Sequence, residues 1–172
     1  MNNQLHDELL ARMEKEQNLR KESIDQSDDI QFVMRMLETD AQNTMWLDEI
    51  IKQYGWPTYS LVGEDGAQAA FLIIQHSPSL EFQKKCLHLL EQAVRQNEAD
   101  KISLAYLTDR IRTSDGKPQF YGTQGQTRPD GSIIPFPIED EEHVDERRKA
   151  IGLEPVAEYF KSMNETYKAE NK

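Results

Sequence analysis

The segment "GAQAAFLIIQH", Gly66 to His76, decides the fold. Its apolar side chains run almost all the way round a 3.6-residue period, the pattern of a helix enclosed by neighbours. A chain of 172 residues built around such a helix is expected to be mainly α. Toward the N-terminus, Leu5, Leu9 and Met13 stripe a first helix from about Gln4 to Lys21. After a break at Ser23 to Asp29, with Ser27 or Asp28 as cap, Ile30, Val33, Met34 and Leu37 mark a second. Met45, Leu47, Ile50 and Ile51 mark a third, from about Ala41 to Tyr54, which Gly55 stops before a Trp56-Pro57 corner. On the other side, Ser77 is the expected cap and Pro78 the first turn of a helix carrying Phe82, Cys86, Leu89 and Ala93. Asp100 is the expected cap of the next, which carries Ile102, Leu104, Ala105, Leu107 and Ile111 and ends at Ser114-Asp115-Gly116.

The period then changes. "QFYGTQ" (Gln119 to Gln124) and "SIIPFPI" (Ser132 to Ile138) are short and rich in aromatic or β-branched residues, and "TRPDG" between them is a turn signal. They predict one two-stranded hairpin near residues 118–138, its prolines on an edge strand. A lone hairpin is marginal in water, so this one must pack on helices. Asp140 is the expected cap of a seventh helix ending near Gly152, and Pro155 opens a last one through Tyr167. The expectation is a single helical domain of about eight helices: helices over 4–113, the hairpin, and C-terminal helices over 140–168.

The net charge of −11 argues against nucleic acid, because a phosphate backbone would be repelled without a basic patch. Arg147, Arg148 and Lys149 are embedded among acids. No apolar run approaches the ~20 residues that span a bilayer, and the N-terminus has no secretory pattern. One cysteine, Cys86, forms no internal disulfide and no cysteine-based zinc site, and it falls on an apolar helix face. These features point to a cytoplasmic protein, with no cofactor and no metal site indicated.

Polar residues on faces that should be apolar carry the functional clue. His76 lies three residues after Ile73 and seven after Ala69, with Gln75 beside it. Asp109 lies four after Ala105 and seven after Ile102, with Arg110 adjacent. The first helix's stripe runs on into Gln17 and Arg20. Strand alternation puts Gln119, Tyr121 and Thr123 on one face, with Gly122 allowing close backbone approach and Gln124 beyond. Buried polar groups usually bond one another, which is the structural account of any single member. A His, an Asp, two Arg and several amides converging point instead to a pocket. In it His76 is the general acid or base, its ordinary pKa lying near neutrality. Asp109 orients the imidazole, and Tyr121 donates a proton or lines the site. Arg20 or Arg110 holds a carboxylate or phosphate, and Gln17, Gln75, Gln119, Thr123 and Gln124 bond polar ligand atoms. No nucleophile motif accompanies them. Phe32, Met34, Met36, Trp46 and Trp56 read as core.

The blocks "IIKQYGWPTYSLVG", "LIIQH", "AYLTDRI", "PQFYGTQ" and "VDERRKAIGLEPVAEYF" resemble, in order, a family of small bacterial proteins of unknown function. "RMEKEQNLR" resembles a further element of that family and places Met13, Gln17 and Arg20 on it. The resemblance runs from about Leu5 to Phe160 and implies that these blocks belong together, without bringing an activity or a cofactor. The expected function is a pocket for a small polar or anionic ligand with His-assisted acid/base chemistry of hydrolase or transferase type. The alternative is a protein-binding accessory or immunity-type module that uses an acidic surface, its polar cluster purely structural. Small polar molecules, peptides or a protein are the expected partners, and neither nucleic acid nor membrane is.

Overall fold

The structure, a computed structural model, describes residues 1–22 and 29–170. The expected caps Ser27 and Asp28 lie outside the described residues. Two compact units divide the chain, Met1–Asp100 and Lys101–Lys172. The first holds α1 (Asn3–Glu22), α2 (Ile30–Tyr54), α3 (Tyr59–Gln75) and α4 (Leu80–Arg95). The second holds α5 (Lys101–Ser114), β1 (Gly125–Thr127), β2 (Ile133–Pro135), a 3-10 turn (Glu141–His143), α6 (Val144–Ala150) and α7 (Val156–Glu170). The described residues are thus mainly helical with one antiparallel hairpin, as expected. Seven α-helices stand where about eight were anticipated. Among the described residues no helix is long and apolar enough to cross a membrane.

In the first unit α3 is the central element, packed on α1, α2 and α4. Its Val62, Ala67, Ala69, Ala70, Phe71, Ile73 and Ile74 are buried, together with Leu9 of α1, Phe32 and Leu47 of α2, and Cys86 and Leu90 of α4. Each large side chain among them contributes roughly 2 kcal/mol by leaving water. The three alanines keep α3 narrow enough for neighbours on several sides. Burial pushes the Cys86 thiol up to about 12, so it behaves as a core residue.

The expected second and third helices are one helix. The helix runs on between Leu37 and Ala41, where two were expected, and Thr39 Oγ1 donates to the Arg35 carbonyl (2.9 Å) and Thr44 Oγ1 to the Asp40 carbonyl (2.7 Å). Hydroxyls satisfied four residues back leave the ladder intact. Asp29 caps this helix, accepting from Gln31 N and Phe32 N. The cap of α4 is Ser79 rather than Ser77: Ser79 Oγ accepts from Phe82 N, while Ser77 Oγ, two residues earlier, accepts from Ser79 N.

In the second unit β1 and β2 pair with Gln126 opposite Ile134, closed by the Arg128–Gly131 turn. Asn164 of α7 docks the hairpin by reading both backbone groups of Ile133: its Oδ1 accepts from Ile133 N (2.7 Å) and its Nδ2 donates to Ile133 O (2.8 Å). "QFYGTQ" is not the strand it resembles. Only Gln119 pairs, in an isolated parallel bridge with Ile138, because the amides of Phe120, Tyr121 and Thr123 go to a carboxylate instead of a ladder. Asp140 does not cap by its side chain either; it is left-handed, with its Oδ1 2.8 Å from His143 Nδ1.

Gly122 sits at φ 68°, and a Cβ there would stand 2.9 Å from Ile138 Cδ1 and 3.0 Å from Val156 Cγ2. Gly122→Ala is expected to cost about 2 kcal/mol from left-handed strain and crowding together. Urea unfolding will show this as a lower midpoint with an unchanged slope.

Candidate functional site

Polar side chains gather at one place in each unit, and the two gatherings differ in chemistry. In the first, Glu16 of α1 is only 1% exposed. Arg20, one turn on, donates from Nε to Glu16 Oε1 and from Nη2 to Asp40 Oδ2 of α2 at 2.8 Å. His76 follows the last residue of α3 and brings its Nδ1 to 2.5 Å from Glu16 Oε1. Nδ1 makes no hydrogen bond among the described residues, so the contact with Glu16 is one of proximity. Among the described residues nothing hydrogen-bonds His76 Nε2, and the side chain is 21% exposed. One nitrogen therefore faces a buried carboxylate and the other is open.

The turn that carries His76 is held from beneath. Gln83 of α4, itself buried, donates from Nε2 toward the carbonyls of Ile74 (3.1 Å) and Ser77 (3.2 Å). Ser77 Oγ lies 3.0 Å from Thr44 Oγ1, linking the same turn to α2. Gln75 is buried beside it, and Gln17 approaches Glu16 Oε2 weakly at 3.4 Å.

Electrostatics separate the two acids. Burial pushes the Glu16 carboxyl up, but His76 and Arg20 pull it down further, leaving it below its usual 4.5. Burial lifts Asp40 above its usual 3.8; Arg20 opposes this only in part and the Glu16 charge adds to it. Among the described residues Asp40 Oδ1 and Asn43 Nδ2 are buried without a hydrogen-bond partner.

In the second unit Asp109 of α5 is fully buried. Its Oδ1 accepts from Phe120 N (2.6 Å) and Tyr121 N (3.0 Å), and its Oδ2 from Thr123 N and Thr123 Oγ1 (3.0 Å each). Gln119 closes the same loop, donating to the carbonyls of Gln124 and Phe136 and accepting from Gln124 N. Gln124 Nε2 donates to Thr123 Oγ1. Arg148 is fully buried under the loop, donating from Nη1 to the carbonyls of Tyr121 (2.8 Å) and Gly122 (3.1 Å). Tyr121 is half-buried, and burial, with Asp109 nearby, raises its phenol. Arg110 is half-buried on α5. The oxygens of Asp109 are thus spent on loop amides, and the carboxylate beside His76 is Glu16.

Among the expected site residues, the first unit groups Gln17, Arg20 and His76 around Glu16, and the second groups Asp109, Gln119, Tyr121, Thr123 and Gln124 into one loop anchor. Glu16, Asp40 and Gln83 are absent from the sequence reading, though each had a signal. Glu16 lies seven residues after Leu9 and Asp40 seven before Leu47, both on buried stripes. Gln83 lies three before the buried Cys86. In a chain with 31 Asp and Glu, a carboxylate on a core face is hard to tell from a solvated one.

The chain belongs to a family of unknown function, DUF6624, matching it over residues 3–172. No curated protein and no solved structure matches the chain.

Two predictions follow from the charges. Because Glu16 ionises more readily folded than unfolded, the folded state binds fewer protons in the window below 4.5. Its stabilisation is therefore complete above that value and is lost as pH falls through the lower folded one. Asp40, raised, has the opposite sign: it removes stability as pH rises from 3.8 toward its folded value. Glu16→Gln is expected to flatten the acid limb of a stability–pH curve and Asp40→Asn to steepen it, read by urea midpoints between about pH 3 and 7. Asp109→Asn turns an amide donor toward loop amides and is expected to cost about 2–4 kcal/mol in the same assay.

Proposed function

We propose, taking membership of that family as the premise, that the Glu16–His76 pair is an acid/base apparatus acting on a small polar ligand, in hydrolase- or transferase-type chemistry. One observation carries it: a histidine with one nitrogen 2.5 Å from a buried, ionised carboxylate and the other unpartnered among the described residues. A carboxylate in that position favours the tautomer with the proton on Nδ1 and stabilises the imidazolium that forms when Nε2 takes a proton. His76 and, after it, Arg20 hold the Glu16 carboxyl below its usual value in a place where burial alone would raise it. Arg20 is shared between two carboxylates, so a neutral polar ligand suits the site better than an anion. Gln83 and Ser77 hold the turn still, which acid/base geometry requires. A lone cysteine supports a reducing, cytoplasmic setting.

A second reading, a protein-binding module, is favoured by α2. Ile30, Met34, Leu37 and Met45 are 78%, 52%, 48% and 71% exposed along one stripe, where Met34 had been expected in the core. The acidic surface would then select a basic partner.

The test is a turnover screen over uncharged esters, amides and phosphoesters. His76→Gln is expected to lower kcat/KM by about 10²–10⁴-fold on whichever substrate responds while unfolding stays cooperative. Turnover that survives His76→Gln, or a panel left untouched by a folded wild type, removes the proposal in favour of the binding module.

A further inference from the structure

One face of α2 carries apolar side chains that the core does not use. Phe32, Leu47 and Ile51 already pack the inner face. Ile30, Met34, Leu37 and Met45 are exposed, and with the half-buried Ala41 they form one stripe, within an arc of about 80° at 100° per residue. We infer that this stripe binds a second copy of the chain, the two α2 helices lying antiparallel across a twofold axis. Large apolar side chains gathered on one stripe, rather than scattered singly, mark a contact surface. The inference does not rest on the acid/base pair, and it gives to a second copy the stripe on which the binding-module reading stands.

Turned end for end, the stripe fits itself. With the axis between Leu37 and Glu38, Ile30 stands level with the second copy's Met45, and Met34 with its Ala41. A long side chain thus meets a small one, and the two Leu37 close the centre, within about 2 Å of level along the helices. A parallel pair would set Met34 against Met34 and Ala41 against Ala41, crowding one layer and leaving a gap in another.

The charges beside the stripe select the same partner. Its exposed flank carries Gln31, Arg35, Glu38 and Gln42, one cation and one anion rather than the acids a basic partner would need. Among the described residues neither Arg35 nor Glu38 has an ion-pair partner, and the Arg35 guanidinium lies 5.1 Å from the Phe32 ring centre. In the antiparallel pair Arg35 comes within about 3 Å, along the axis, of the level of the second copy's Glu38, and the twofold repeats the contact. The two Glu38 flank the axis and are each answered by the other copy's Arg35. The contact is small and each copy carries a charge of −11, so the dimer is weak and reversible.

The test is sedimentation velocity of the full chain from about 5 to 500 μM, with a monomer–dimer Kd on the order of 10–100 μM expected. Met34→Asp, at an exposed position, should raise Kd at least about tenfold while the urea midpoint holds. Arg35→Glu should raise it about fivefold, and adding Glu38→Arg should bring it back, because exchanged charges still pair across the axis. Copper-phenanthroline oxidation of Leu37→Cys should give a disulfide-linked dimer. Glu49→Cys, whose copies lie about 35 Å apart along the helices, should give none, and the buried Cys86 does not compete. The inference is overturned by a chain monomeric throughout, by a dimer that Met34→Asp leaves intact, by a charge-exchanged variant no tighter than Arg35→Glu, or by Glu49→Cys linking as readily as Leu37→Cys. A monomer whose Met34 and Met45 methyl signals move on adding a decalysine peptide assigns the stripe to a basic partner and overturns it as well.

Discussion

A carboxylate taken out of water must be answered by donors, and two such carboxylates organise this chain. Glu16 and Asp109 are each 1% exposed or less. A buried carboxylate left without donors takes up a proton rather than stay charged. Asp109 is answered by three backbone amides and a hydroxyl from one short loop. Those donors do not titrate and have no other use, so the result is a rigid anchor. Glu16 is answered by the Arg20 guanidinium, with the His76 imidazole close beside it. That imidazole makes the contact a candidate for acid/base work as well as a structural one. The same constraint, met by different partners, yields a scaffold element in one unit and a candidate reactive pair in the other.

The first unit is arranged along α3. Its apolar length is packed on three helices, which makes it the most firmly held element there. Each end then presents a turn whose position is inherited from that packing. At the C-terminal end Gln83 and Ser77 hold the turn of His76. At the other, Glu98 holds Tyr59 and Ser60 beside Trp56. Polar groups placed at the end of a packed helix, rather than on a long loop, keep the angles that hydrogen bonding and proton transfer need.

Helices were readable where the apolar period was strong. The stripe of α1, the enclosed character of α3 and the stop at Gly55 all follow from local pattern. Readings failed where a side chain competed with the backbone. Two helices were expected either side of Thr39, yet Thr39 and Thr44 are bonded into one continuous α2. The segment from Gln119 to Gln124 has strand composition, yet its amides are claimed by Asp109, eleven or more residues away. Propensity describes what a segment does among average neighbours, and a buried carboxylate is not an average neighbour. Within the site, helical period singled out His76 and Arg20, while Glu16 was one acid among many until burial marked it.

By itself the sequence determined the mainly helical class, the hairpin near its turn and the polar positions on apolar faces, because these depend on spacing along one element. Only the tertiary structure decided which polar groups meet. Asp109 turned to its own loop, and Glu16 rather than Asp109 came to face the imidazole. The reason is physical: a buried charge takes whichever partners the packing of other elements brings within hydrogen-bonding reach, and no periodicity within a single helix encodes that distance.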